Sequence, residues 1–131
     1  MNEYMLIFRH EDGHKVASPE QVKTWMQQTI DWIKTISEKN KFVGGNGLQF
    51  DSAKVVKVKN SKKVITDGPF GDIKETIGGY FIVKAESIYE AVEFAKGSPV
   101  LQGEGNSVEV REILAKNEIN EKVRSQKWNR E

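Results

Sequence analysis

Tyr4-Met5-Leu6-Ile7-Phe8 and Gly79-Tyr80-Phe81-Ile82-Val83-Lys84-Ala85 decide how this chain folds. Each run stays largely apolar at successive positions, and a strand's side chains alternate between the two faces of its sheet. A strand that is apolar on both faces needs cover on both faces. These two runs therefore read as the central strands of a sheet, and the rest of the sequence is placed around them.

Between them, Ser18-Pro19-Glu20-Gln21 opens a helix. Ser18 can cap it, Pro19 suits its first position, and Gln21 completes a capping box. Val22, Trp25, Met26, Thr29, Ile30, Ile33 and Ile36 recur at helical spacing, and Asn40 with Gly44-Gly45 is expected to end the helix. Residues 53–59 alternate, Val56 and Val58 against Lys57 and Lys59, as a half-exposed strand does. Asn60-Ser61-Lys62 turns that strand back into a hairpin partner over 63–66. The tight loop Asp67-Gly68-Pro69-Phe70-Gly71 follows. After the second central run, Ser87-Ile88-Tyr89-Glu90 is another capping box. Ile88, Ala91, Val92 and Ala95 form an apolar stripe, and Gly97 and Pro99 stop the helix. Residues 107–113 alternate again, Val108 and Val110 against Glu109 and Arg111.

The resulting order, β-α-β(β)-β-α-β, is that of a ferredoxin-like α+β sheet with an extra hairpin strand. It fits one domain over residues 1–115, followed by a charged tail over 116–131 that is either a peripheral helix or a frayed end. Two helices cover one face of such a sheet. Yet Met5 and Ile7 oppose Leu6 and Phe8, and Tyr80 and Ile82 oppose Phe81 and Val83. About four large apolar side chains left on the second face would make a patch of several hundred Å². A homodimer, sheet against sheet, is the simplest cover. The tail or the 60–78 segment folding across that face is the competing one.

The chain is 131 residues long with 20 basic and 19 acidic side chains, a formal net charge of +1. No global field draws it to nucleic acid or an anionic membrane. The absence of cysteine removes disulfides, thiolate chemistry and zinc–thiolate sites. No run approaches the ~20 apolar residues of a membrane span, so a cytoplasmic location is expected. Lys54, Lys57, Lys59, Lys62 and Lys63 cluster on the hairpin. Near-neutral total charge favours their guarding a strand edge against aggregation over phosphate binding.

Candidate site residues gather near the 67–75 segment and the end of the first strand. Asp67 ends a strand beside a loop, Gly68-Pro69-Phe70, whose backbone path is restricted. Its carboxylate either faces a cleft or closes a turn. Glu75 pairs with Asp67 in an acid–base couple, or faces water or a lysine. Lys74 is positioned to meet an anionic ligand or simply solvent. His10, with an ordinary pKa near neutrality, is a candidate acid or base at the end of a central strand. His10 and His14 are spaced i, i+4, but the Gly13 turn between them enforces no shared face, so no metal site is expected. Trp25 and Trp32, seven residues apart, read as packing, with a stacking platform for a ligand as the lesser reading. No phosphate loop, nucleophile elbow or dinucleotide fingerprint occurs, and no cofactor is expected.

Asp67-Gly68-Pro69-Phe70, Lys74-Glu75 and Ile77-Gly78-Gly79-Tyr80-Phe81-Ile82 resemble the DGPF signature of the YCII-related proteins. Tyr4-Met5-Leu6-Ile7, Ser18-Pro19-Glu20, Gly44-Gly45 with Leu48-Gln49, and Ser107-Val108-Glu109-Val110-Arg111 fit the same family. The resemblance spans roughly residues 3 to 113. It implies a dimeric α+β barrel built from two ferredoxin-like sheets, with a cleft near the 67–70 loop and an activity that is mostly unassigned. It also implies a His–Asp pair in some members, with the histidine near the first helix. Residues 19–40 of this chain hold no histidine, so that pair does not carry over. Two functions stand open on this reading: a non-catalytic module that binds a small molecule, and a cofactor-independent lyase or isomerase using Asp67 with His10 or Glu75.

Overall fold

The computed structural model describes residues 1–11, 18–49, 53–68, 76–114 and 118–125. A four-stranded antiparallel sheet runs β2-β5-β1-β6, made of β2 (Phe42–Gly47), β5 (Thr76–Ala85), β1 (Asn2–His10) and β6 (Ser107–Glu112). The two continuously apolar runs are central, as expected. Tyr4 opposes Val83, Leu6 opposes Phe81, and on the other side Leu6 opposes Val110. With α1 (Pro19–Ser37) and α2 (Ile88–Lys96) as the crossovers, this is the ferredoxin-like plan.

Both helix starts follow their caps. The Gln21 amide donates to Ser18 Oγ at 3.1 Å, and the Glu90 amide donates to Ser87 Oγ at 3.3 Å. The helices cover the face bearing Tyr4, Leu6, Phe8, Val83 and Ala85. With Trp32 and Ile36 of α1 and Ala91, Phe94 and Ala95 of α2, these form the core. The Trp32 indole N–H donates to the Phe94 carbonyl at 2.9 Å and ties the two helices together. The Lys41 ammonium meets Glu90 at 2.6 Å beside the junction of α1 and β2. That hydrogen bond holds the Glu90 carboxyl below the ordinary carboxylate range.

One expectation needs correction. Gly44-Gly45 does not end the first helix. α1 stops at Ser37, Asn40 takes a left-handed turn with φ of 58°, and Gly44-Gly45 lies inside the edge strand β2. A strand reading FVGGNG carries almost no β propensity, so pattern alone passes over it. Gly45 answers to tertiary crowding. A Cβ on Gly45 would sit 2.4 Å from the Phe81 ring and 2.2 Å from the Tyr80 carbonyl oxygen.

The alternating segment is therefore not the edge of the main sheet. β3 (Ala53–Lys59) and β4 (Lys62–Gly68) form a separate two-stranded sheet. It turns through Asn60 and Ser61, with φ of 52° and 64°, the two left-handed residues of a tight hairpin. Among the described residues β3 and β4 pack extensively only against each other. Val56, Val58 and Ile65 share one face and are 64%, 70% and 71% exposed. β3 is exposed along its whole length, where a half-exposed strand was expected. The cross-strand register puts Lys57, Lys59 and Lys62 on the opposite face from Val56, while Lys54 and Lys63 flank the valines.

On the uncovered face of the main sheet, Met5 opposes Ile82 and Ile7 opposes Tyr80. These four are part-buried, shielded by one another and by a polar rim in which Arg9 pairs with Glu109 at 3.1 Å. The charged tail contains the helix α3 (Glu118–Ser125), on which Ile119 and Val123 are exposed. No helix among the described residues is long and apolar enough to cross a membrane.

Candidate functional site

α1 is longer than the sheet edge it crosses. Nineteen helical residues span about 28 Å, whereas a six-residue edge strand spans about 20 Å. The central strands β1 and β5 are long enough to match the helix, so it outruns only the edge strand β2, and its first half is the end left open. Val22 and Trp25 are each 41% exposed, Met26 61% and Ile30 55%. Beneath them lies a cleft of about 1190 Å³, somewhat larger than a typical small-molecule pocket.

Each wall of the cleft has a local cause. The overhanging apolar stripe of α1 is the roof. The floor is aromatic: Trp32 and Phe81 stack with ring centres 5.5 Å apart, and Phe8 meets Phe81 and Trp32 edge-on at 5.0 and 5.8 Å. One side is the glycine-rich pairing of β2 with β5, where Gly47 opposes Gly79. A Cβ on Gly47 would meet nothing closer than the Gly78 carbonyl oxygen at 4.0 Å. Absent side chains leave the cleft wide at that edge. The opposite side is the 3-10 turn Pro99–Gln102 and the residues after it. Asn106 fixes that side. Its Nδ2 donates to the Val100 carbonyl at 3.0 Å, and its Oδ1 accepts from the Glu11 amide at 2.9 Å.

His10 closes the end of the cleft. It is the last residue of β1, is half-buried, and lies beyond a register shift between Phe8 and Arg9. Burial pushes its imidazole pKa below the ordinary histidine value, because the charged form is the harder one to desolvate. The ring is thus kept neutral, and a neutral imidazole can donate and accept a hydrogen bond at once.

The other residues singled out from sequence fall differently. Asp67 and Gly68 end β4 opposite Lys54 and Ala53. The Asp67 side chain, and all of Pro69, Phe70, Lys74, Glu75 and His14, lie outside the described residues. Among the described residues no group of three or more His, Asp or Glu is placed to hold a metal ion. Sequence reasoning passed over Glu11, Leu48, Asn106 and the cleft-lining half of α1. The one available signal was the helix itself, whose apolar stripe is longer than two turns of core require. Both of its tryptophans line the cleft, Trp32 as a buried core residue beneath it and Trp25 as a partly exposed one above it.

No curated protein matches this chain. The family model for the YCII-related domain matches residues 2–115, from β1 through β6. That match covers most of the sequence and includes every element that builds the cleft, and the chain belongs to the YCII-related domain family.

Proposed function

We propose that this protein is a homodimeric module that binds a small molecule, without transforming it, in the cleft under the first half of α1. The observation that carries the reading is the overhang of α1. Four large apolar side chains stand partly in water above an aromatic floor, where packing alone would have closed the gap. Exposed apolar surface gathered in a concave, polar-edged site is what ligand pockets present. Thermal-shift screening against metabolites tests it. A compound that raises Tm in the wild-type protein, leaves Trp25→Ala unmoved and is recovered unchanged supports the reading. Equal shifts in both proteins would remove the cleft from it.

His10 favours a second reading, a cofactor-independent acid–base enzyme. An imidazole that lines the cleft, with its pKa pushed down by burial, is a suitable base. Asp67 and Glu75 are its proposed partners, with Gly68, Pro69, Phe70 and Lys74 as ligand contacts. Consumption of a bound compound by the wild type, lost in His10→Gln and in Asp67→Asn, would move the assignment to this reading. Turnover unchanged in both variants would end it.

Dimerisation is supported by two apolar surfaces. One is the Met5, Ile7, Tyr80 and Ile82 cluster with its charged rim, an apolar centre within polar margins as interfaces have. The other is the Val56, Val58 and Ile65 face of the hairpin, since an isolated two-stranded hairpin is marginal in water. Sedimentation velocity at micromolar concentration is expected to give a dimer in the wild type and monomer in Ile7→Lys/Ile82→Lys. A well-behaved wild-type monomer would overturn this part.

A further inference from the structure

We infer that the cleft under α1 selects an aromatic or apolar ligand that is neutral or positively charged, an aromatic amine being the best fit, and disfavours carboxylates and phosphates. This rests on the cleft being a ligand site, and it concerns only the charge and shape of what enters.

The described lining is electrostatically one-sided. It includes the acidic residues Glu11 and Glu104 and, among the described residues, no lysine or arginine. Glu11 is held close to the cleft by more than its own backbone. Its amide donates to Asn106, and its carboxylate lies against Gly105, which has φ of 81°. A Cβ on Gly105 would overlap the Glu11 carboxylate, so glycine there makes the close approach possible.

Hydrogen-bond supply points the same way. An anion is best held by charged donors, and the described lining offers only neutral ones, three of whose nitrogens already donate within the protein. Trp32 Nε1 donates to the Phe94 carbonyl at 2.9 Å, Asn46 Nδ2 to the Tyr80 hydroxyl at 3.0 Å, and Asn106 Nδ2 to the Val100 carbonyl at 3.0 Å. The cleft offers aromatic surface instead, chiefly the Trp25 ring, 41% exposed, over the buried rings of Trp32 and Phe8. Trp32, Phe81 and Phe8 make its floor, and Trp25 and Met26 stand above. The face of an aromatic ring carries the negative end of its quadrupole and attracts a cation, tryptophan most strongly. A flat ring bearing an ammonium group uses both features: packing against Trp25 and an acidic residue in the lining.

The test is a matched set on one ring system: 1-naphthylmethylammonium, 1-naphthylmethanol and 1-naphthoate, titrated calorimetrically into the full chain at pH 8. The expected order is ammonium first, alcohol second and carboxylate last, with about tenfold between first and last. Glu11→Gln/Glu104→Gln is expected to narrow the ammonium-to-carboxylate ratio, and Trp25→Ala to weaken all three. Naphthoate binding as tightly as the ammonium compound, with that binding lost in Trp25→Ala, would overturn the charge selection and leave the cleft as a site. An unchanged ratio in the double glutamine variant would equally overturn the role of the two carboxylates. Failure of all three probes to bind, or binding indifferent to Trp25→Ala, would overturn the cleft reading and the ligand class together.

Discussion

The two ends of α1 carry one amphipathic stripe to two different outcomes. Ile30, Ile33 and Ile36 follow each other at helical spacing, and their exposure falls from 55% at Ile30, through part-burial at Ile33, to 1% at Ile36. Trp25 and Trp32 divide the same way, 41% exposed against 7%. At the C-terminal end the stripe lands on β1 and β5 and becomes core. At the N-terminal end it runs past the glycines of β2, is left partly exposed, and becomes the roof of a cleft. An apolar residue at helical spacing therefore marks a surface that faces inward. What it faces depends on the length and side chains of the element opposite.

The sharpest way to break the comparison is to truncate both tryptophans. Trp32→Ala should cost about 3–5 kcal/mol in urea unfolding, because it empties packed volume and frees the Phe94 carbonyl. Trp25→Ala should cost less than about 1 kcal/mol and show its effect in ligand binding. Equal costs would mean that the overhanging end is packed after all. Next in size, Ile36→Ala should cost about 2–4 kcal/mol, while Ile30→Ala should stay within about 1 kcal/mol. Filling the cleft sharpens the contrast from the other side. Gly47→Leu has room for its Cβ, so it should change stability by about 0.5 kcal/mol or less while abolishing probe binding in the calorimeter.

Two pH effects, one at each end of the helix, are smaller. Near the C-terminal end the Glu90 carboxyl is depressed by Lys41. Its stabilisation is present at neutral pH and lost as pH falls through its folded value, below the ordinary carboxylate range. Glu90→Gln should be less stable than wild type at pH 7 and converge with it in acid, as read by Tm against pH. At the cleft end His10 titrates lower in the fold than in the unfolded chain. Above the ordinary histidine value of about 6.5 neither state binds the proton and the residue contributes nothing. Below it the unfolded chain takes a proton that the fold refuses, so stability declines. His10→Gln should flatten that decline between about pH 6.5 and 5, measured by urea midpoints.

How much was legible in advance follows from range. The central strands, both helix caps, the hairpin turn at Asn60-Ser61 and the apolar face left over by two helices are local patterns, and each appears where the sequence puts it. β2 was hidden because its glycines carry no strand pattern, and Gly45 answers to crowding from Phe81 and Tyr80, residues more than thirty positions away. The hairpin was assigned to the main sheet because alternation says that a strand is half covered and not by what.

The candidate site divides along the same line. His10 was visible as a titratable residue ending a central strand. The cleft was not, since its roof, floor and sides come from α1, β1, β5, β2 and the segment after α2. Sequence alone determined which faces are apolar, where each helix begins and that the α+β sheet has two uniformly greasy central strands, because those follow from side-chain periodicity along one element. Only the tertiary structure decided that α1 outruns the edge strand β2 and that β3 and β4 stand apart. It alone decided that burial pushes the His10 imidazole pKa down. Each of those depends on the distance between elements that the chain brings together only when it folds.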